Sequence, residues 1–62
     1  MKPSEKALEL KLRIWQNGLK QRQVADGIGI REAALSDYLL GRRKMPRETL
    51  ADIEAYLAAH ER

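Results

Sequence analysis

Residues 21–41, QRQVADGIGIREAALSDYLLG, contain two short helical segments that are interrupted only around Gly29. Their apolar positions form one inward surface only if the chain turns sharply at this glycine and the second helix crosses the first. Glycine permits such a turn because it adopts left-handed backbone conformations without steric cost. Ala25 is small where the second helix must pass closely, and Ile28 and Ile30 flank the glycine, which anchors the turn in the core. The predicted inward surface consists of Val24, Ala25, Ile28, Ile30, Leu35 and Tyr38.

Two further helices are expected, one before this stretch and one after it. The sequence is rich in Ala, Leu, Glu, Lys and Arg and has no alternating run of β-branched residues. The Ser4 hydroxyl can cap the first helix, and Pro46 suits the start of the last one. A chain of this length forms one small domain, so we predict an all-α fold of four helices over residues 1–62. The expected helices run from near Ser4 to Asn17-Gly18, from about Gln21 to Ile28, from Arg31 or Glu32 to Leu40 with Gly41 closing it, and from just after Pro46 to about Ala59.

The composition excludes several classes of protein. There is no cysteine, which excludes disulfides, thiolate metal sites and thiol catalysis. No apolar run approaches the ~20 residues that span a bilayer, and charges interrupt the N-terminal region where a signal peptide would be apolar. The single histidine, His60, lies in the last expected turn, where compensation of helix-end charge is the simpler interpretation. Without a catalytic triad, a phosphate-binding glycine loop or a metal-ligand cluster, we expect a cytoplasmic protein that is not an enzyme and has no metal or cofactor.

Positive charge is concentrated at one place in the chain. Twelve Lys and Arg residues against nine Asp and Glu residues give a formal net charge of +3, which by itself indicates a nucleic-acid partner only weakly. The segment GRRKMPR, residues 41–47, follows the third expected helix and holds four cations. Such a cluster beside two crossing helices favours contacts with phosphate groups.

Residues 19–47, LKQRQVADGIGIREAALSDYLLGRRKMPR, resemble the helix-turn-helix of the lambda repressor and Cro type, the Xre-like family. The matching features are Gln21 at the start of the second helix, the VAD of residues 24–26, the turn glycine Gly29, the apolar Ile30, Leu35 and Tyr38, and the exit G-R-R-K-x-P. The resemblance implies a small four-helix, lambda-repressor-like domain that places its third helix in the major groove of double-stranded DNA.

The resemblance also assigns roles to individual positions. Base reading falls to the start and the outer side of the third helix: Arg31, Glu32, Ala33, Ser36 and Asp37. Phosphate binding falls to the start of the second helix and to the basic segment: Lys20, Gln21, Arg22, Arg42, Arg43, Lys44 and Arg47.

Two of the base-reading positions are acidic, although they would face a polyanion. One interpretation is structural: the helix dipole stabilises Glu32 in the first turn, and a nearby arginine such as Arg31 or Arg43 neutralises Asp37. The other is functional, because a carboxylate accepts a hydrogen bond from the cytosine amino group and Arg31 can bind guanine with two hydrogen bonds. The functional interpretation predicts a half-site that contains G·C pairs.

Cations stand at two expected helix starts. Lys20 and Arg31 occupy positions where Ser, Thr, Asn or Asp would cap a helix better, and positive charge there opposes the helix dipole. Both positions make sense if they face phosphate. The alternative is that the boundaries are off by one residue and these are ordinary solvated side chains.

The core also departs from the family pattern. Many relatives place a buried arginine near the end of the first helix and a buried glutamate near the end of the third, and the corresponding residues here are Ile14 and Leu39. Because apolar side chains can replace a buried ion pair without loss of stability, we predict that Ile14 contacts Leu39.

The first helix carries two apolar stripes. Ala7, Leu10 and Ile14 suit the core, whereas a second stripe lies on an adjoining side. The second stripe suits a homodimer, since this family usually reads two half-sites about 34 Å apart with a two-fold dimer; alternatively, a long fourth helix folds over it. The expected interface consists of Leu8, Leu12, Trp15, Tyr56, Ala59 and His60.

The function that these observations favour is transcriptional regulation. We expect a Cro-like repressor that binds a palindromic operator as a homodimer and acts by promoter occlusion in the nucleoid of a bacterial or phage-infected cell, with no membrane or small-molecule ligand. The alternative is a protein-interaction module, such as an antitoxin-like partner or adaptor, that uses its acidic third helix to bind protein. Salt dependence separates the two, because phosphate contacts make affinity fall steeply with salt.

Overall fold

The computed structural model describes residues 4–61, which form four helices. These are α1 (Glu5–Gln16), α2 (Gln21–Ile28), α3 (Glu32–Leu39) and α4 (Arg47–His60). No strand occurs within residues 4–61, so the predicted all-α fold of four helices is confirmed. None of the described helices is long and apolar enough to cross a membrane.

The start of α1 is capped as the sequence predicts. Ser4 has an extended backbone, and its Oγ accepts a hydrogen bond from the Ala7 N–H at 3.1 Å. This bond satisfies one of the N–H groups that a helix start leaves without an intrahelical partner. α4 likewise begins directly after Pro46, as predicted.

The turn between α2 and α3 is made by Gly29, which has a φ of +79°. Two hydrogen bonds close it: the Gly29 N–H donates to the Asp26 carbonyl at 3.4 Å, and the Ile30 N–H donates to the Ala25 carbonyl at 3.0 Å. This pair of bonds is the Schellman motif, which ends a helix on a left-handed residue. Ala25 is fully buried and Ile30 packs against the core, so the predicted anchoring of the turn is confirmed.

The core lies between all four helices, and each helix contributes two members. No polar or charged side chain is buried within the described residues. Ile14 and Leu39 are both buried in this cluster, and the contact between them stays a prediction. The cluster consists of Leu10, Ile14, Val24, Ala25, Leu35, Leu39, Ile53 and Leu57.

Tyr38 departs from the expected inward surface. It is half-buried at the edge of α3 and lies beneath Arg43, whose guanidinium carbon is 5.9 Å from the centre of the ring. A cation thus lies over one side of the ring, and Tyr38 is not a member of the buried core cluster. Val24, Ala25 and Leu35 are fully buried, as predicted.

Two ion pairs join α1 to α4: Lys6 with Glu54, and Arg13 with Glu61. The hydrogen bond from Lys6 is the main cause that lowers the pKa of Glu54 and raises the pKa of Lys6. The hydrogen bond to Glu61 likewise raises the pKa of Arg13. Both pairs lie on the flank of α1 that faces α4, beside the buried contacts that α1 and α4 share in the core.

Candidate nucleic-acid interface

The outer face of α3 is set by the burial of its inner face. Leu35 and Leu39 are at most 1% exposed, so residues on the other side of the helix point away from the core. Ala33 and Leu40 are exposed there, and Ser36 and Asp37 are half-buried between them. Arg31 and Glu32, both exposed, continue this surface at the start of the helix. We use "outer face of α3" for these six positions: Arg31, Glu32, Ala33, Ser36, Asp37 and Leu40.

The five base-reading candidates thus lie at the exposed start of α3 and on its side away from the core, where Ser36 and Asp37 are partly exposed, and the structure adds a sixth residue. This residue is Leu40, the predicted end of the third helix, which is 37% exposed. Its spacing from Ala33 is seven residues and from Ser36 four, which places the three on one side of a helix. That spacing is the signal in the sequence that identifies it.

Both helices of the motif begin without a side-chain cap. Lys20 is the N-cap residue of α2 and Arg31 the N-cap residue of α3, and both have extended backbones with no capping hydrogen bond from their side chains. The boundaries are therefore as predicted, and the alternative that they are off by one residue is wrong. The first N–H groups of the two helices remain free to bind an anion, which a helix N-terminus attracts.

Another Schellman motif closes α3 and leads into the basic loop, residues 41–46. Gly41 has a φ of +77°, its N–H donates to the Tyr38 carbonyl at 3.2 Å, and the Arg42 N–H donates to the Asp37 carbonyl at 2.9 Å. The motif brings the backbones of Asp37 and Arg42 together. Their side chains meet as well, with Arg42 Nη1 lying 4.0 Å from Asp37 Oδ1.

This ion pair corrects one prediction. In the structural interpretation of Asp37, a nearby arginine such as Arg31 or Arg43 neutralises it; an arginine does lie nearby, but it is Arg42. The cause is the helix end: a Schellman motif brings the residue after the left-handed glycine back to the last turn, while Arg43 turns onto the Tyr38 ring.

The basic loop and the start of α4 expose all four expected cations. Of these four cations, only Arg42 has a carboxylate of the described residues within 4.0 Å, and its side chain is still 72% exposed. The others are open to solvent and to an anionic partner. The candidates for phosphate binding are exposed, apart from the half-buried Gln21: Lys20, Arg22, Arg42, Arg43, Lys44 and Arg47.

The second apolar stripe of α1 is uncovered. Leu8, Leu12 and Trp15 are 47%, 54% and 76% exposed. At roughly 100° per residue they lie on the other side of α1 from Lys6 and Arg13, which bind α4. The alternative in which α4 folds over the stripe is therefore wrong.

The other three interface candidates lie elsewhere. Tyr56 is half-buried, and its ring lies directly over Gly27 of α2, so it faces away from the stripe on α1. His60 stacks on this ring with the ring centres 4.1 Å apart, and its Nδ1 lies 2.8 Å from the Tyr56 carbonyl oxygen. Ala59 is exposed on the same helix. The six interface candidates are thus divided between two separate surfaces.

Comparison with known proteins agrees with the geometry. No curated protein and no solved structure gives a significant match to the sequence. A family model described as helix-turn-helix matches residues 10–61, which include most of α1 and all of α2, α3 and α4. The chain therefore belongs to the helix-turn-helix family of the lambda repressor and Xre type, a family of DNA-binding regulatory domains that are not typically enzymes.

Proposed function

We propose that this protein is a sequence-specific transcriptional regulator that reads the major groove with the outer face of α3. The observation that carries the proposal is the surroundings of that face. Within residues 4–61, Asp37 is the one side chain of the face that forms an ion pair. The face begins at Arg31, a cationic N-cap residue whose side chain makes no capping hydrogen bond, and it ends at the basic loop. A helix fits the ~12 Å major groove, and flanking cations bind the phosphates on either side.

Phosphate binding is the task of the helix starts and of the basic loop. Lys20 and Arg22 are exposed at the start of α2, where the free N–H groups add a partial positive charge. The exposed Lys44 and Arg47 serve the same purpose beyond α3. These contacts hold the protein in register on the duplex without reading sequence.

Base reading is the task of the outer face of α3. Arg31 is positioned to bind guanine through two hydrogen bonds, and Glu32 to accept a hydrogen bond from the cytosine amino group. The Asp37 carboxylate forms an ion pair with the Arg42 guanidinium at 4.0 Å, which reduces the electrostatic repulsion between this carboxylate and nearby phosphates. A half-site with G·C pairs at the bases facing the start of α3 follows from this chemistry.

The active form is a homodimer on a palindromic operator, with a second copy covering the stripe of Leu8, Leu12 and Trp15. The three side chains offer a few hundred Å² of apolar surface, the size of a functional patch. That area is smaller than the ~800 Å² per partner of a stable interface, so the dimer is weak and DNA favours it. In sedimentation of the protein mixed with its operator, Trp15→Ser should bind only as a monomer at concentrations at which the wild type binds as a dimer. Unchanged dimerisation of Trp15→Ser would place the interface elsewhere.

The simplest mode of regulation by such a protein is repression. A dimer that occupies adjacent major grooves blocks a promoter by occlusion, as Cro-like proteins do, and it needs no effector. Promoter occlusion by this protein takes place on the nucleoid, in the cytoplasm of a bacterial or phage-infected cell.

Selection from random-sequence duplexes, followed by gel shifts across a range of salt concentrations, tests the proposal. We expect a palindromic site with G·C pairs in each half, and log affinity that falls against log salt by about 0.9 per phosphate contact. Lys44→Gln should reduce that slope by about 1 per protomer. Lys11→Gln, an equal charge change at an exposed position of α1, is the matched control and should leave the slope unchanged. Weak binding without sequence preference and with a flat slope would overturn the proposal in favour of a protein-interaction module.

A further inference from the structure

We infer that Leu40 reads a thymine through its 5-methyl group, at the end of the half-site opposite to the G·C pairs. The inference rests on the proposed DNA binding by the outer face of α3 and names a further specificity-determining residue on that face. No base-reading role is assigned to this position by the resemblance described above.

The backbone fixes where Leu40 points. Its N–H donates to the Ser36 carbonyl at 2.9 Å, and its φ of −88° and ψ of −4° continue the helix by one residue. Leu40 therefore keeps helical register and lies three residues after Asp37 and seven after Ala33. The next residue, Gly41, turns the chain away, so Leu40 is the last side chain of the outer face.

Leu40 lies outside the buried core, although it is partly covered. Leu39 and Leu35 fill the inner side of α3 and are at most 1% exposed, whereas Leu40 remains 37% exposed. Single exposed leucines are common on protein surfaces, so exposure alone carries no inference. What distinguishes Leu40 is its place: it has helical spacing from the base-reading candidates Ala33 and Ser36, and in the chain it stands between Asp37 and Arg42, which form an ion pair.

The chemistry of the major groove leaves one base feature for such a side chain. Hydrogen-bond donors and acceptors line most of the groove, and the thymine methyl group is the apolar exception. Leu40 has no polar group, so it can gain affinity there only by covering that methyl group and displacing water from it. Since Arg31 and Glu32 stand at the other end of α3, the thymine lies at the far end of the half-site from the pairs that they read.

Replacement of thymine by deoxyuridine tests this directly, because uracil lacks the methyl group and keeps the same hydrogen-bonding groups. On the selected operator we expect one symmetric pair of positions at which the change weakens wild-type binding roughly fourfold per half-site, the equivalent of about 0.8 kcal/mol per methyl group. Leu40→Ala should bind thymine and uracil operators equally at those positions. Its circular dichroism spectrum and melting should match the wild type, since the side chain is outside the core cluster.

Gln16→Ala is the control, because it truncates an exposed side chain of α1 outside the stripe of Leu8, Leu12 and Trp15. It should keep the thymine-to-uracil ratio of the wild type, whatever it does to overall affinity. Specific binding that no uracil substitution weakens, or a Leu40→Ala variant that keeps the wild-type ratio, would overturn the inference while leaving the proposed function intact. Failure to select any sequence would overturn the proposed function and this inference with it.

Discussion

Replacing Gly27 by alanine tests how α4 packs on α2, because the two helices meet where the ring of Tyr56 covers this glycine. A Cβ added at Gly27 would lie 2.7 Å from Cδ2 of the Tyr56 ring and closer still to Cε2. Real Cβ atoms do not approach other atoms so closely, so the ring would have to move. Gly27 has an ordinary helical backbone, and nothing but the ring requires a glycine there.

The magnitude follows from two opposing effects. Alanine stabilises the interior of a helix by about 1 kcal/mol relative to glycine. Against this, displacing the half-buried ring loses roughly 1–1.5 kcal/mol of burial and about 0.5–1 kcal/mol of stacking with His60. We therefore expect Gly27→Ala to lower the free energy of unfolding by about 1 kcal/mol. In a Tyr56→Ala background the ring is gone, and the same substitution should raise it by about 1 kcal/mol.

The assay is urea denaturation followed by circular dichroism for the wild type, Gly27→Ala, Tyr56→Ala and the double variant. The expected coupling between the two positions is about 2 kcal/mol, with a change of sign between the backgrounds. A Gly27→Ala variant as stabilised in the wild type as in the Tyr56→Ala background would refute the packing described here. It would also return Tyr56 to the set of residues available for an interface.

Three further substitutions test other parts of the fold and the site. Ser4→Ala removes the cap of α1 and should lower the free energy of unfolding by about 1 kcal/mol in the same denaturation assay; no change would mean that the cap is not formed in solution. Lys6→Met should be less stable than the wild type at neutral pH, because it removes the ion pair with Glu54. The pKa of Glu54 is lowered from 4.5, so the contribution of Glu54 to stability is complete above pH 4.5 and is lost as the pH falls through its folded-state pKa. The pKa of Lys6 is raised from 10.5, so its contribution is complete below that pH and is lost as the pH rises through its folded-state value, and melting curves of the two proteins should converge at both extremes. Arg42→Gln should weaken operator binding more than Lys44→Gln, because it also leaves Asp37 without a partner, and Asp37→Asn in the same chain should recover part of the loss in a gel shift; equal losses for the two single variants would contradict this role of the ion pair.

Local chemistry explains why the helices could be predicted so closely from the sequence. The hydroxyl of Ser4 and the turn glycine Gly29 act on residues within a few positions along the chain, and the structure places both as expected. The inner stripe of α1 follows from helical periodicity alone, and Ala7, Leu10 and Ile14 are all buried. Elements whose determinants lie within one or two turns are thus accessible to sequence reasoning.

Contacts between segments that are distant in the chain could not be predicted from the sequence in the same way. Tyr56 has the spacing of a surface residue near the end of α4, and only the angle at which α4 crosses α2 shows that its ring lies over Gly27. When no complementary residue in the sequence identifies the contact partner of a side chain, helical periodicity cannot distinguish a ring that covers a glycine from a ring that faces solvent. The division of the expected dimer interface into two surfaces is the direct consequence.

The three Schellman motifs show how one local rule produces both the core and the candidate site. At the end of α1 the residue that folds back is Leu19, whose N–H donates to the Ile14 carbonyl at 3.0 Å, and at the end of α2 it is Ile30; both pack against the core. At the end of α3 it is Arg42, so the same hydrogen bonds bring a cation to the surface beside Asp37. An apolar residue at this place would draw the loop inward, whereas an arginine keeps the loop at the surface, next to the outer face of α3. The third motif therefore sets both the charge and the position of the basic loop relative to the residues proposed to read bases.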